Sequence, residues 1–398
     1  MATRDRDNMI NIAAIDEHLS QQGRFCLIDW LLANNVLFYA DYEDWRYGRC
    51  GALDDALQLD REEIQRLLDD TERHCRDLGL ISEPQDFYRW NDDQSMALTA
   101  SANSRQSGQF TQRWLSAQDQ PQMDLFIDNS AQMAENGLLA ALGDRQFDTA
   151  QELLQRLSKL NPGCVRLGSY QDLINYGSHM QANPLIEADA VEAELQGLRR
   201  EVLPLAQEVL GPTARDYLTF SWRRLAESMQ SLTFNPAQPE LHTSAALLEI
   251  PDYPATIDRL RADPSLYLQP VLLERLAVSY HALHQNDKAL TTWCLMMEQD
   301  ESYTEAAIER HKSHPIHQYW QDLWDTDDDW PPAHFPAFVL VKHPALIHSL
   351  SDFPSLKQPA SQAMKKLLQM RLRGENEITA RQNLQGINPK LLRIYLNQ

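Results

Sequence analysis

The sequence predicts an all-α protein, and three observations carry that expectation. Leu, Ala, Gln and Glu are abundant while Val and Ile are few, so strong helix formers dominate the β-branched residues that favour strands. Glycine is scarce, at 14 of 398 residues. Apolar residues recur at helical spacing along most of the chain, between short breaks rich in Asn, Gly and Pro. The chain is long for one small domain, and its 43% hydrophobic content is enough for a packed core.

Residues 9–90 read as several helices. Ile10, Ile12, Ile15 and Leu19 keep helical spacing, and the run from Phe25 to Phe38 reads as a mostly buried helix. Asp60 precedes REEIQRLLDDTERHCRDLGL and can cap a helix there. Glu63, three residues on, completes a capping box, and Gly79 ends the helix. Ile64, Leu67, Leu68 and Cys75 share its apolar face. Tyr42–Arg49, YEDWRYGR, sets arginines beside aromatics and acids. It reads as an anion or peptide pocket, or as an amphipathic helix with Tyr42 and Trp45 inward and Gly48 at its end. Residues 91–124 turn to Ser, Asn, Gln and Ala, which reads as a polar linker with a domain boundary near 125, or as a long surface excursion of one domain. The organisation expected is therefore an acidic helical domain over 1–124, linker included, and a second helical domain over 125–398.

From 125 onward helix-length segments alternate with breaks at Asn161-Pro162-Gly163, Asn183-Pro184, Gly211-Pro212, Asn235-Pro236, Pro254 and Pro264. Helix, short turn, helix is the pattern of an α-solenoid. The one strand-like run, Phe338–Val341, is too short to support a sheet. Two segments carry a repeat signal. In residues 131–162, small or apolar residues fall at Leu138, Ala141, Phe147, Ala150, Leu154 and Leu157, and Pro162 closes the segment. Residues 273–301 place Leu276, Ala277, Tyr280, Ala289, Trp293 and Met296 in the same relative positions. Small residues on both helices of a pair let the backbones approach, and a large residue one turn on fills the gap to the next pair.

Both segments resemble tetratricopeptide repeats. The second matches the family pattern at Ala277, Tyr280, Ala289 and Trp293 but has Glu301 where proline is usual. The first matches at Ala150 and Pro162, with Phe147 after the turn, and departs at Leu138, Ala141 and Leu154. Leu138 and Ala277 lie 139 residues apart, close to four repeats of about 34. The resemblance implies a stack of helix hairpins whose concave face holds another protein. It places Gln132, Glu135, Glu274 and His281 in that groove, where the plainer reading is a solvated helix face. Leu138, Phe147, Ala150, Ala277, Tyr280, Ala289 and Trp293 would pack the repeats. The function implied is a protein-binding scaffold or adaptor.

The charge narrows the partners. A formal net charge of −21 repels nucleic-acid phosphates and anionic membranes, so neither is expected as a partner. The charge is uneven, for residues 364–398 hold seven Lys and Arg against two Glu. That basic end reads as a solvated face, or as a surface that docks on an acidic partner or on the protein's own body. Five scattered cysteines without a CxxC argue against a disulfide framework. The polar start lacks a signal-peptide core, and Phe25–Ala40 is broken by Asp29, Asn34 and Asn35, so the expected location is the cytoplasm. Phosphate-binding glycine loops, the GxSxG elbow and HExxH are absent, and no cofactor is expected. The alternative function is a helical metal-dependent hydrolase using His311, His314 and His317, although Pro315 interrupts any shared helix face. Asp325–Asp329 superficially resembles a calcium loop, but Trp330 and Pro336 stand where Gly and Glu are needed. It reads otherwise as an acidic-aromatic loop. Trp320 and Trp324, four apart, are expected on one buried helix face.

Overall fold

The structure, a computed structural model, describes residues 15, 19, 24–57, 59–90, 97–115, 129–187, 189–326 and 330–397. The protein is all-α with one small sheet, and it divides into two compact units, Met1–Ser228 and Met229–Gln398. The division falls about a hundred residues beyond the boundary expected near 125.

In the first unit a short strand, β1 (Arg24–Cys26), runs directly into α1 (Leu27–Ala33). A turn through Asn35, with a φ of 54°, then leads to α2 (Tyr39–Arg46). The single helix expected over Phe25–Phe38 is thus a strand, a helix and a turn. The next helix, α3 (Arg61–Asp77), has the expected capping box. Asp60 accepts from the Glu62 and Glu63 amides, and Glu63 accepts from the Asp60 amide. Gly79, with a φ of 71°, turns the chain into β2 (Ile81–Pro84). The stretch expected as a linker holds α4 (Ser104–Phe110), capped by Asn103, and β3 (Gln112–Leu115). β3 lies between β1 and β2, antiparallel to both, with Phe25 opposite Trp114 and Ser82 opposite Trp114 on the other side. Phe110 and Trp114 anchor this polar stretch in a core with Phe25, Trp30 and Trp45. Helices α5 (Asn129–Gly143), α6 (Phe147–Leu160), α7 (Leu167–Ala182), α8 (Val191–Gly197), α9 (Leu203–Leu210) and α10 (Ala214–Ser228) complete the unit. Between α8 and α9, Leu198–Val202 widens to a π-helical turn beside Pro204, which has no N–H to donate back along the helix.

The second unit runs through α11 (Thr243–Glu249), α12 (Tyr253–Ala262), α13 (Pro270–Ala282), α14 (Asn286–Gln299), α15 (Glu301–Arg310) and α16 (Pro315–Trp324). It closes with α17 (Phe335–Lys342), α18 (Leu346–Ser349), α19 (Pro359–Arg373), α20 (Ile378–Ile387) and α21 (Pro389–Leu396). The strand-like run Phe338–Val341 lies inside α17, a helix buried from Phe335 through Val341 and packed against α14, α16, α19 and α21. A helix apolar on every side belongs in a core, and its periodicity cannot distinguish it from a buried strand.

Two helix hairpins, α5/α6 and α13/α14, are built alike. In the first, the Gln146 amide donates to the Ala141 carbonyl at 2.8 Å and the Arg145 amide to the Leu142 carbonyl at 3.1 Å. In the second, Gln285 donates to Tyr280 at 2.8 Å and His284 to His281 at 2.8 Å. Arg145 and His284 both have left-handed backbones, with φ of 59° and 56°. Equivalent residues lie 139 positions apart, the spacing of Leu138 and Ala277. Leu138, Phe147, Ala150, Ala277, Tyr280, Ala289 and Trp293 are all buried. Each hairpin is tied to the helix that follows. The Tyr170 hydroxyl on α7 donates to Glu135 on α5, and the Tyr303 hydroxyl on α15 donates to Glu274 on α13.

Trp320 and Trp324 touch edge to face at 5.4 Å, but only Trp320 is buried, and Trp324 is 48% exposed. Trp330 is buried against Phe338. Asp327, Asp328 and Asp329 of the expected acidic loop lie outside the described residues. No helix among the described residues is long and apolar enough to cross a membrane.

Candidate functional site

The first unit contains a cleft of about 420 Å³ whose floor is a buried charge network. Its centre is Asp216, near the start of α10. Tyr42 and Tyr39 of α2 donate their hydroxyls to the two Asp216 oxygens, at 2.8 and 3.2 Å. Arg46, one turn after Tyr42, places Nη1 3.2 Å from Asp216 and its other end against Asp144. Arg215 adds Nε at 3.3 Å from Asp216 and reaches Asp29 at 3.1 Å. Arg145 comes from the tight α5/α6 turn and donates through Nε and Nη2 to the Asp216 carbonyl, at 3.0 and 2.6 Å. Trp90 lies beneath both guanidiniums, with the Arg145 carbon 3.6 Å and the Arg46 carbon 4.7 Å from its ring centroid. Arg46 and Arg145 are each only 2% exposed.

The electrostatics follow from this packing. Burial alone would raise the Asp216 carboxyl, but Arg215, Arg46 and the Tyr42 hydroxyl hold it below its ordinary value, so it stays ionised. Asp144 is pushed up to about 6, because burial and the neighbouring Asp216 charge outweigh its contact with Arg46. Burial also raises the Tyr39 and Tyr42 hydroxyls, which remain neutral donors. These donors and charges are satisfied within the network, so the floor is fixed in place.

The walls are more open. Arg24 on β1 and Arg113 on β3 share one face of the sheet, since Arg24 pairs with Leu115 and Cys26 with Arg113. Arg113 meets Glu83 at 3.1 Å, yet its Nε is buried without an acceptor. Arg24 has no ion-pair partner among the described residues. Four arginines, Arg24, Arg46, Arg113 and Arg215, line the cleft. Four aspartates, Asp29, Asp86, Asp144 and Asp216, balance them. The cleft is thus neutral on formal count inside a chain of −21.

Tyr42 and Trp45 turn inward on α2, and Gly48 follows with a φ of 68°, as the helix reading of Tyr42–Arg49 expects. Arg46 and Glu43 are buried as well, so the same helix also builds the cleft floor. Of the four groove residues, Gln132 is exposed and, among the described residues, donates along its own helix to Asn136. Glu135 is engaged by Tyr170. Glu274 is engaged by Tyr303, by Arg310 at 3.0 Å and by His311 at 2.9 Å. His281 lies 3.9 Å, centroid to centroid, from His314. Three of the four therefore hold neighbouring elements together. Sequence reasoning missed Arg24, Arg113, Asp144, Arg145, Arg215 and Asp216. A signal was available for two of them, Asp144 and Arg145: a charged Asp-Arg pair in a tight turn where Gly or Asn is usual.

His311 and His314 gather with His281, but His317 does not join them. Pro315 starts a new helix, which leaves His311 at the end of α15 and His314 ahead of α16 and turns His317 toward Glu309, 3.9 Å away. Among the described residues no group of three His, Cys, Asp or Glu has an arrangement that could hold a metal ion. Comparison with protein families, curated proteins and solved structures found no match to this chain.

Proposed function

We propose that this chain is a protein-binding adaptor and that the first-unit cleft receives an extended polar segment of its partner, with a carboxylate lodged on Arg24 and Arg113. One observation carries the reading: a prebuilt cleft whose floor is neutralised internally, while its sheet wall offers Arg24, without an ion-pair partner among the described residues, and the buried, unsatisfied Arg113 Nε. Arginine is the side chain best shaped to grip a carboxylate, through parallel N–H donors. A rigid floor lowers the ordering cost of binding. The paired helix hairpins support the same reading, since their resemblance to tetratricopeptide repeats points to protein recognition.

The experiment is site-specific photo-crosslinking from Asn136, which lines the cleft and is exposed, in the full chain and in an Arg24→Glu variant. Arg24 makes no ion pair among the described residues, and circular dichroism checks that the Arg24→Glu chain, whose cleft is two charges more negative, still folds. The expected outcome is a defined protein adduct in the parent chain, reduced at least tenfold in the variant, or about 1.4 kcal/mol. An adduct of equal yield from both chains would place recognition elsewhere and end the proposal.

A further inference from the structure

We infer that a second docking surface lies on the C-terminal helices, and that it takes an acidic segment of a partner protein with an apolar anchor. A groove of about 310 Å³ runs between the start of α18 and the last turns of α19. Pro344, Ala345 and His348 form one wall, and Leu368, Arg371 and Leu372 form the other. Leu372 is 59% exposed, so an apolar side chain stands in solvent at the mouth of an apolar groove. Apolar surface rimmed by charge is the mark of an interaction site.

The charge around the groove states what would cover it. Residues 229–363 carry eight Lys and Arg against eighteen Asp and Glu, a net −10, whereas residues 364–398 carry seven against two, a net +5. Both acids of the last stretch already have arginine partners: Glu375 lies 3.8 Å from Arg373, and Glu377 is paired with Arg381 at 2.6 Å. Lys365, Lys366, Arg371 and Arg393 are left without a carboxylate at ion-pair distance among the described residues. Lys365 precedes Leu368 by three and Leu372 by seven residues, so it shares their stripe of the helix. Arg371 sits over the Tyr395 ring at 5.2 Å, which steadies it beside the groove. A helix laid in this groove would bury an apolar side chain against Leu368 and Leu372 and meet Lys365 and Arg371 with flanking carboxylates. A phosphate backbone offers no such anchor, and the chain's −21 opposes a long polyanion.

The probe is a fluorescent synthetic peptide with Leu at positions i, i+3, i+4 and i+7 and Glu between them, titrated with the full chain by anisotropy. A scrambled peptide of equal composition, phosphatidylserine vesicles and a duplex DNA oligonucleotide are the comparators. Leu372→Glu and Arg371→Glu alter exposed side chains, and circular dichroism checks that both still fold. Lys365→Glu replaces either one that does not. Saturable binding that weakens at least tenfold in each variant, weakens with added salt and is at least tenfold poorer for the scrambled peptide is the expected result. Arg24→Glu should leave this binding unchanged, so the surface stands or falls independently of the first-unit cleft. Equal binding of the scrambled peptide, indifference to the variants, or tighter binding of vesicles or DNA would overturn the inference. So would self-association abolished by Leu372→Glu, which would assign the groove to a second copy.

Discussion

Arg145 and His284 occupy the same turn position in two hairpins, and both carry the left-handed backbone that costs a non-glycine residue roughly 1 kcal/mol or more. What differs is the use made of the side chain. The Arg145 guanidinium is buried, stacks on Trp90 and donates to Asp216 and Tyr47, whereas His284 is exposed. Glycine relieves the backbone equally at both sites, so the matched pair separates strain from network. We predict that His284→Gly leaves the melting temperature unchanged or raises it. Arg145→Gly should destabilise by about 2–3 kcal/mol net, because the Asp216 carbonyl loses its donors and the site loses a stacked side chain. Thermal melts of the two variants check this, and comparable stability in both would remove the structural role assigned to Arg145. The position was visible in the sequence as the turn between two helical patterns. The use of Arg145 was not, since its partners Tyr47, Trp90 and Asp216 are 98, 55 and 71 residues away in sequence.

At the scale of elements, α6 meets α7 through Phe147 and Gly177. A Cβ at Gly177 would lie 2.2 Å from the Phe147 ring, far inside van der Waals contact. Gly177→Ala improves helix propensity by about 1 kcal/mol, yet the forced shift of a buried ring costs about 1–3 kcal/mol. The expected result is net destabilisation, relieved when Phe147→Leu is added, with non-additivity in a double-mutant cycle. A stabilised Gly177→Ala protein would show that the ring moves freely. Elements with strong local signals were the legible ones: the capping box of α3, the Pro-marked ends of α6 and α7, and the two hairpins. The short strands β1 and β3 were not, because three or four residues with one inward aromatic give no alternation to read. The cleft escaped for a related reason, since its walls combine those strands with helix ends distant in sequence.

Across the whole chain, the division after Ser228 is a statement about packing that composition concealed. The polar stretch near 91–124 looked like a boundary because few of its residues are apolar, but Phe110 and Trp114 bind it into the first core. The large hydrophobic cluster of the second unit, by contrast, runs from Ile257 to Tyr395, inside that unit. A fragment of residues 229–398 should therefore fold and melt cooperatively. A fragment of residues 125–398 strips Arg46, Tyr42 and Trp90 from Asp216 and Arg145, and it should bind a hydrophobic dye and aggregate. The shorter fragment also makes an acid-limb prediction. Burial holds His242 down to about 4 and His314 down to about 3, the latter also beside His281 and His311. Neutral His314 can accept from the Trp293 indole N–H at 3.4 Å. An unfolded imidazole titrates near 6.5, so the unfolded chain takes up protons first as pH falls. The stabilisation is complete above 6.5 and is lost progressively toward pH 4 and 3. Glu274 acts in the same direction at lower pH. Burial would raise it, but His311, Tyr303 and Arg310 hold it at about 2, so its contribution is present above 4.5 and lost toward 2. Melting temperature should fall steadily from pH 7 to pH 4, and His314→Gln should flatten the part between 6.5 and 4. A flat profile in the parent fragment, or an unchanged slope in the variant, would show that these histidines are hydrated in solution.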